Sequence, residues 1–365
     1  GSSFAFLGGF QAVSELDVGK FADMTGAEKL PYAMGGIVVA GLMYILLALL
    51  FKVVGAQKVM RFFPPIVTGP MIILIGLNLS GSAVANASAC WPLALLSIAV
   101  IIVANIWGKG MIKIIPILLG VVIPYIVALC FNMVDFSGVA AESLAGLPAF
   151  TLAKFDITAI LVMAPIAIAS MMEHIGDISA ISATCNRNFI SDPGLHRTLM
   201  GDGFATMLGA AFGAPANTTY GENTGVLALS RVYDPNVVRM AAGFAILLSF
   251  SPKFDAIVNS IPTAIVGGVS FILYGMISAV GVRNIVENRV DLTQSRNLII
   301  AAVILVCGLG FSAGITFTVG GVAIKLTSLA IAAIAGVALN AILPGNDYVF
   351  GADSKGDGAA NLGTY

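Results

Sequence analysis

The chain has 365 residues, of which 58% are hydrophobic and only 10% charged, with a net charge of −1 and a mean hydropathy of +0.97. A soluble domain of this length has too much surface to cover with so few charges, so most of the chain faces lipid. The near-neutral charge, without any basic block, excludes nucleic acid as a partner, and Cys90, Cys130, Cys185 and Cys307 follow no metal or redox spacing.

The chain opens on Gly1-Ser2-Ser3-Phe4, with no methionine and no positive n-region, which reads as an internal cut and not as a signal peptide. Apolar runs able to cross about 30 Å of hydrocarbon then recur. They fall near residues 32–53, 64–80, 90–107, 111–132, 156–181, 197–213, 236–251, 262–280, 296–311 and 322–343. Segments 1–13 and 215–230 are shorter and begin with small or polar residues. They read as discontinuous spans, extended backbone leading into a half-helix. The expected class is an all-α polytopic membrane protein.

Alternate breaks between the spans carry Lys52, Lys58, Arg61, Lys109, Lys113, Arg187, Arg197, Arg231, Arg239, Arg283, Arg289 and Arg296 on one side. The other side holds Lys20, Lys29, Lys154 and Lys253. The richer side is expected in the cytoplasm.

Internal repetition adds topology. Ser2-Ser3-Phe4-Ala5 followed by Gly9 matches Thr218-Thr219-Tyr220-Gly221 followed by Gly225, and Pro64 with Gly69 matches Pro262 with Gly267. The order is the same in both halves, as in a repeat transporter. Spans 156–181 and 197–213 precede the second discontinuous segment and have no counterpart before the first. The register therefore predicts fourteen spans, about twelve of them present here, in two sets of seven. An odd set makes the repeats inverted, with the substrate near the midplane where the discontinuous segments meet.

Ionisable groups inside a span cost about 2.5–3.5 kcal/mol each on insertion scales and are functional by default. Glu173, His174 and Asp177 lie within 156–181, and Glu222 lies at the break of the second discontinuous span. Glu173 and Asp177 are four apart and share a helix face, with Cβ atoms about 6 Å apart. Two such carboxylates in a low-dielectric site do not both ionise easily, so one holds a proton, as a proton-coupled carrier requires. The plainer reading is a helix facing a water-filled vestibule. His174 is rotated off that face, and a buried histidine bonding the backbone explains it as well as a functional role does. For Glu222, preceded by Gly221 and flanked by Asn217 and Asn223, a polar helix cap is the plain alternative. Asp202 caps a helix or contacts the cavity. Lys325 near the start of 322–343 reads as snorkelling to the interface, and His196 as structural. The sequence offers no nucleophile, metal cluster or phosphate loop, so neither an enzyme nor a cofactor is expected.

The segment Gly213-Ala214-Pro215-Ala216-Asn217-Thr218-Thr219-Tyr220-Gly221-Glu222-Asn223-Thr224-Gly225-Val226-Leu227 closely resembles the signature segment of bacterial uracil permeases. These belong to the nucleobase–cation symporters, also called nucleobase–ascorbate transporters. Glu173-His174-Ile175-Gly176, Asp192-Pro193-Gly194-Leu195-His196-Arg197, Gly201-Asp202-Gly203 and the opening Gly1-Ser2-Ser3-Phe4-Ala5-Phe6 are similar as well, so the resemblance covers nearly the whole chain. It implies a seven-plus-seven inverted repeat. A core domain would hold 1–53 and 156–251, a gate domain 54–133 and 252–345, and a tail 346–365. The two discontinuous spans would cross as short antiparallel strands at the substrate.

The resemblance further implies uracil import by proton symport in a bacterial cytoplasmic membrane, with uracil, the proton and the lipid bilayer as partners and a homodimer left open. Glu173, Glu222, Gly221, Phe4 and Tyr220 would bind the base, and Glu173 with Asp177 would couple the proton. The best-known uracil permeases carry histidine where this chain has Asp177. The chemistry agrees: carboxylates accept from the uracil N–H groups, backbone amides donate to its carbonyls, and Phe4 or Tyr220 covers the ring face. The rivals are a purine or xanthine permease of the same family and an anion channel or exchanger on the same fold. The first usually carries glutamine near Tyr220-Gly221-Glu222-Asn223, and the second calls for a positive site.

Overall fold

The computed structural model describes residues 1–221, 223, 224, 227, 231–319 and 322–345. The chain enters through a 3-10 turn, Phe4–Phe6, that runs into α1 (Leu7–Ser14). Lys29, buried on the next helix, donates from Nζ to the carbonyls of Ser14 and Leu16 at 3.2 and 2.7 Å and so satisfies backbone acceptors at the end of α1. Helix α2 (Gly26–Val54) starts on a capping box, in which Thr25 Oγ1 accepts from Glu28 N while the Glu28 carboxylate accepts from Thr25 N at 2.8 Å. It stops at Gly55, whose φ of 91° suits glycine.

Short α3 (Ala56–Met60) leads to α4 (Pro65–Ala87), α5 (Trp91–Ile106), α6 (Met111–Ile114), α7 (Pro116–Cys130) and α8 (Ser137–Ala141). Prolines open α4, α5 and α7, where a missing N–H costs nothing. Next come α9 (Ile157–Met163) and α10 (Ile166–Cys185), interrupted at Ala164–Pro165, then α11 (Leu195–Ala211). The chain continues with α12 (Pro235–Ser249) and α13 (Pro252–Asn259), which are bent 93° apart, then α14 (Thr263–Glu287) and α15 (Ser295–Gly310). Strands β1 (Ile315–Val319) and β2 (Val322–Leu326) pair antiparallel before α16 (Ser328–Ile342).

Among the described residues, Gly26–Val54, Pro65–Ala87, Ile157–Ser182 and Thr263–Glu287 are long and apolar enough to cross a membrane, and the bent α12–α13 pair together passes the same test. Shorter apolar helices accompany them. The protein is thus mostly helical and polytopic. Two expected spans need correction. The 111–132 run is broken at Ile115, ahead of Pro116, into α6 and α7. The 322–343 run starts as strand, with Lys325 paired in register with Thr316 on β1, and only 328–342 is helix. Alternating β-branched and apolar residues in Ile315-Thr316-Phe317-Thr318-Val319 favour the pleated form over the helix.

The chain divides into two compact units, Gly1–Asn78 with Phe150–Thr224 and Ile277–Tyr365, and Leu79–Ala149 with Gly225–Met276. These cuts differ from the expected core and gate ranges, because 54–78 and 277–345 join the first unit and 225–251 the second. In the first unit α2 and α11 touch through glycines: a Cβ on Gly41 would lie 2.8 Å from Gly203 O, and one on Gly203 would lie 2.9 Å from Gly41 O. α4 and α14 do the same at Gly69 and Gly281. Small residues allow such close backbone approach in lipid, where helix association relies on packing. In the second unit Leu93, Ala128, Ala264 and Ile265 form the core.

Candidate substrate site

Residues 1–13 and 215–221, which open the two expected discontinuous segments, lie in the first unit, and there they meet. Ser2 and Asn217 form an antiparallel bridge, Ser3 N donates to Ala216 O and Thr218 N donates to Gly1 O, both at 2.8 Å. The pairing covers residues 1–3 and 216–218, each in extended backbone, and the first runs directly into the Phe4–Phe6 turn and α1. Tyr220 is tied across the pair, its hydroxyl donating to Ser2 O at 2.9 Å. The Phe4 and Tyr220 rings stack on each other, with centroids 5.9 Å apart and planes within 7°.

Helix α10 runs alongside with Glu173, His174 and Asp177 buried. Thr218 Oγ1 donates to Glu173 Oε2 at 3.4 Å, which links the acid to the second extended segment. A small cavity is lined by Ile72, Glu173, Asp177, Gly221, Ile277 and Val280. Its volume, about 10 Å³, is room for roughly one water. Gly221 is there for space, because a Cβ at this position would lie 2.5 Å from Asp177 Oδ1. Glu173, Asp177 and Gly221 therefore share one cavity, while Phe4 and Tyr220 contact each other beside the paired segments. Glu222 lies outside the described residues.

Sequence reasoning left Asp202 and His174 undecided, and the structure joins them. Asp202 on α11 accepts from Asn217 Nδ2 at 2.8 Å and faces His174 Nδ1 at 3.1 Å. The same Nδ1 lies 2.9 Å from Thr219 Oγ1, and Nε2 lies 3.0 Å from Thr198 Oγ1. Thr198 also donates to Leu195 O, so its hydroxyl accepts from Nε2–H. Thr206 closes the ring by accepting from Asn217 N at 3.2 Å. Asp202, His174 and Thr206 thus hold residues 217 and 219 in place from two helices. Polar Gly201-Asp202-Gly203 inside an apolar span was the only signal of this in the sequence. Beneath the pair, Tyr44 donates to Ser170 at 2.6 Å, and Ser170 lies 3.4 Å from Ser3 Oγ.

Buried acids beside two broken membrane segments, on a mostly helical polytopic frame, define a membrane carrier. The comparisons with known proteins agree on the family. The pattern of the permease family Xan_ur_permease matches residues 1–317. The uracil permease of Bacillus caldolyticus is 41% identical over 360 residues, covering 94% of this chain and 80% of that protein. The uracil permease of Bacillus subtilis (strain 168) is 39% identical, with the same coverage of 94% and 80%. The putative pyrimidine permease RutG of Escherichia coli (strain K12) is 36% identical, covering 94% of this chain and 77% of that one. This chain belongs to that permease family. It is a transporter and not an enzyme, a multi-pass protein of the bacterial cytoplasmic membrane. Among solved structures, the transmembrane domain of the cyanobacterial bicarbonate transporter BicA has the same fold. Its TM-score is 0.55 at 14% identity, over 92% of this chain and 81% of that one.

Proposed function

We propose that this protein imports uracil by proton symport. The observation that carries the reading is the junction of the paired segments 1–3 and 216–218 with the buried acid Glu173, beside a cavity that Glu173 shares with Asp177 and Gly221. Uracil presents two N–H donors and two carbonyl acceptors on a small flat ring. Carboxylates at Glu173 and Glu222 suit the donors, and a close backbone approach at Gly221 suits a carbonyl. Phe4 and Tyr220 supply aromatic cover. Asp177, one helical turn from Glu173, adjusts the proton that accompanies the base. Because the cavity has room for only about one water, binding the base requires α4 and α14, which contribute Ile72, Ile277 and Val280, to separate from α10.

We read the frame as a seven-plus-seven inverted repeat that works as a core moving against a gate. Two packing contacts support the repeat. A Cβ on Gly69 would strike Ile285, and one on Gly267 would strike Ala87. Gly69 and Gly267 are separated along the chain by the same distance as Ala87 and Ile285, so each contact is the repeat image of the other.

The test is uptake of labelled uracil into vesicles containing the protein, with unlabelled competitors and an imposed proton gradient. Uracil uptake should be driven by an inward proton gradient and resist competition by excess xanthine or guanine. Uptake that follows a sodium gradient alone, or that xanthine displaces, would overturn the reading.

A further inference from the structure

A second hollow in the first unit, of about 700 Å³, is lined by Lys58, Arg61, Phe62, Arg296, Asn340 and Leu343. It gathers the last turn of α3, the start of α15 and the end of α16. Directional bonds tie these elements together. Arg296 Nη2 donates to Asn340 O and Oδ1 at 2.9 and 2.8 Å, and its Nε donates to Leu343 O at 3.4 Å. Asn340 in turn donates from Nδ2 to Arg61 O at 2.9 Å. Arg296 thereby satisfies terminal carbonyls of α16, which accounts for its position.

Lys58 and Arg61 have no such explanation. Both side chains are exposed, and neither takes part in an ion pair among the described residues. Among the described residues Lys20 meets Asp156 and Arg283 meets Glu287, whereas this hollow gathers three cations. Among the described residues no carboxylate lines this hollow, so its three cations repel one another, and an anion seated among them relieves that repulsion. Phe62, 46% exposed at the rim, supplies an apolar surface beside the charges. Helix ends, an aromatic and cations from the lysine- and arginine-rich side are what a protein presents at the headgroup level of the cytoplasmic leaflet.

We propose that this hollow binds an oxyanion of the phosphate class through Lys58, Arg61 and Arg296, supplied by an anionic lipid headgroup or by soluble phosphate. The site is separate from the acidic cavity and does not rest on the transport reading. The test is thermal unfolding of the purified full chain in phosphatidylcholine micelles, titrated with phosphatidylglycerol or, separately, with inorganic phosphate at constant ionic strength. A saturating rise in Tm of about 2–4 °C is expected. A rise with phosphatidylglycerol alone assigns the headgroup, and an equal rise with inorganic phosphate assigns a soluble ligand. In either case Lys58→Gln/Arg61→Gln should lose most of the rise, while Lys52→Gln/Lys109→Gln, which removes the same charge elsewhere, should keep it. Phosphatidylglycerol retained through delipidation, counted by native mass spectrometry, gives a readout independent of stability and should fall in the first variant only. No rise with either probe, or equal responses from both variants, would overturn the proposal.

Discussion

The two compact units differ in what they bury. Among the described residues, the buried charged and histidine side chains Lys29, Glu173, His174, Asp177 and Asp202 all belong to the first unit, whereas the polar groups buried in the second are the hydroxyls of Ser97, Ser270 and Tyr274. The partners differ in the same way. Lys29 reaches two carbonyls, and His174 sits among two hydroxyls and the Asp202 carboxylate. Ser97 Oγ has no hydrogen-bond partner among the described residues. Its value is its size, since a Cβ on Gly268 would lie 2.9 Å from Ser97 Cβ and one on Gly120 would lie 3.3 Å from Ser97 O. Glu173, His174 and Asp202 in the first unit gather around the paired segments, while Ser97 in the second sits where helices approach closely. A charge in the membrane is tolerated only where a network receives it.

That contrast can be broken at four positions. The largest effect is expected at Glu173→Gln, which replaces an acceptor oxygen by an amide donor beside Thr218 and removes the carboxylate proposed to hold uracil. Uracil uptake in vesicles should fall about 100-fold, equivalent to about 2.8 kcal/mol. Retained uptake would remove Glu173 from the site. Glu222→Gln should weaken uracil binding about tenfold by calorimetry, since one substrate N–H then faces a donor at a cost of about 1–3 kcal/mol. Unchanged affinity would confine the binding acids to α10.

Asp177→Asn keeps size and hydrogen bonding but removes the second charge. Its uracil affinity should stay within about threefold of the parent, a change below 1 kcal/mol, while the pH profile of uptake shifts or flattens. A profile superimposable on the parent's would make Asp177 a water-facing residue with no coupling role. The smallest effect belongs to the other unit. Ser97→Ala should leave uracil binding unchanged and alter stability by no more than about 0.5 kcal/mol, because no hydrogen bond is lost. A large loss of binding in Ser97→Ala would end the division of labour between the units.

Composition alone determined the membrane class, because so few charges cannot wrap a soluble body of this length. Local spacing determined more. The four-residue spacing of Glu173 and Asp177 put both acids on one helix face, and the shared hydroxyl-hydroxyl-aromatic pattern anticipated that the two discontinuous segments would meet, as residues 1–3 and 216–218 do. The first follows from short-range helix geometry and the second from a local pattern that the sequence repeats. The hairpin at 315–326 did not follow, because a short apolar run fits a buried helix as well as a strand until its neighbours are known. Nor did the bond between Asp202 and Asn217, or the seat of His174 between Thr198 and Thr219. Those partners come from α11 and the second extended segment, and the bonds form only once these pack against each other and against α10. Only tertiary packing decides which polar groups meet when the contacts join residues far apart in the chain, and in this protein those contacts hold the second extended segment in place.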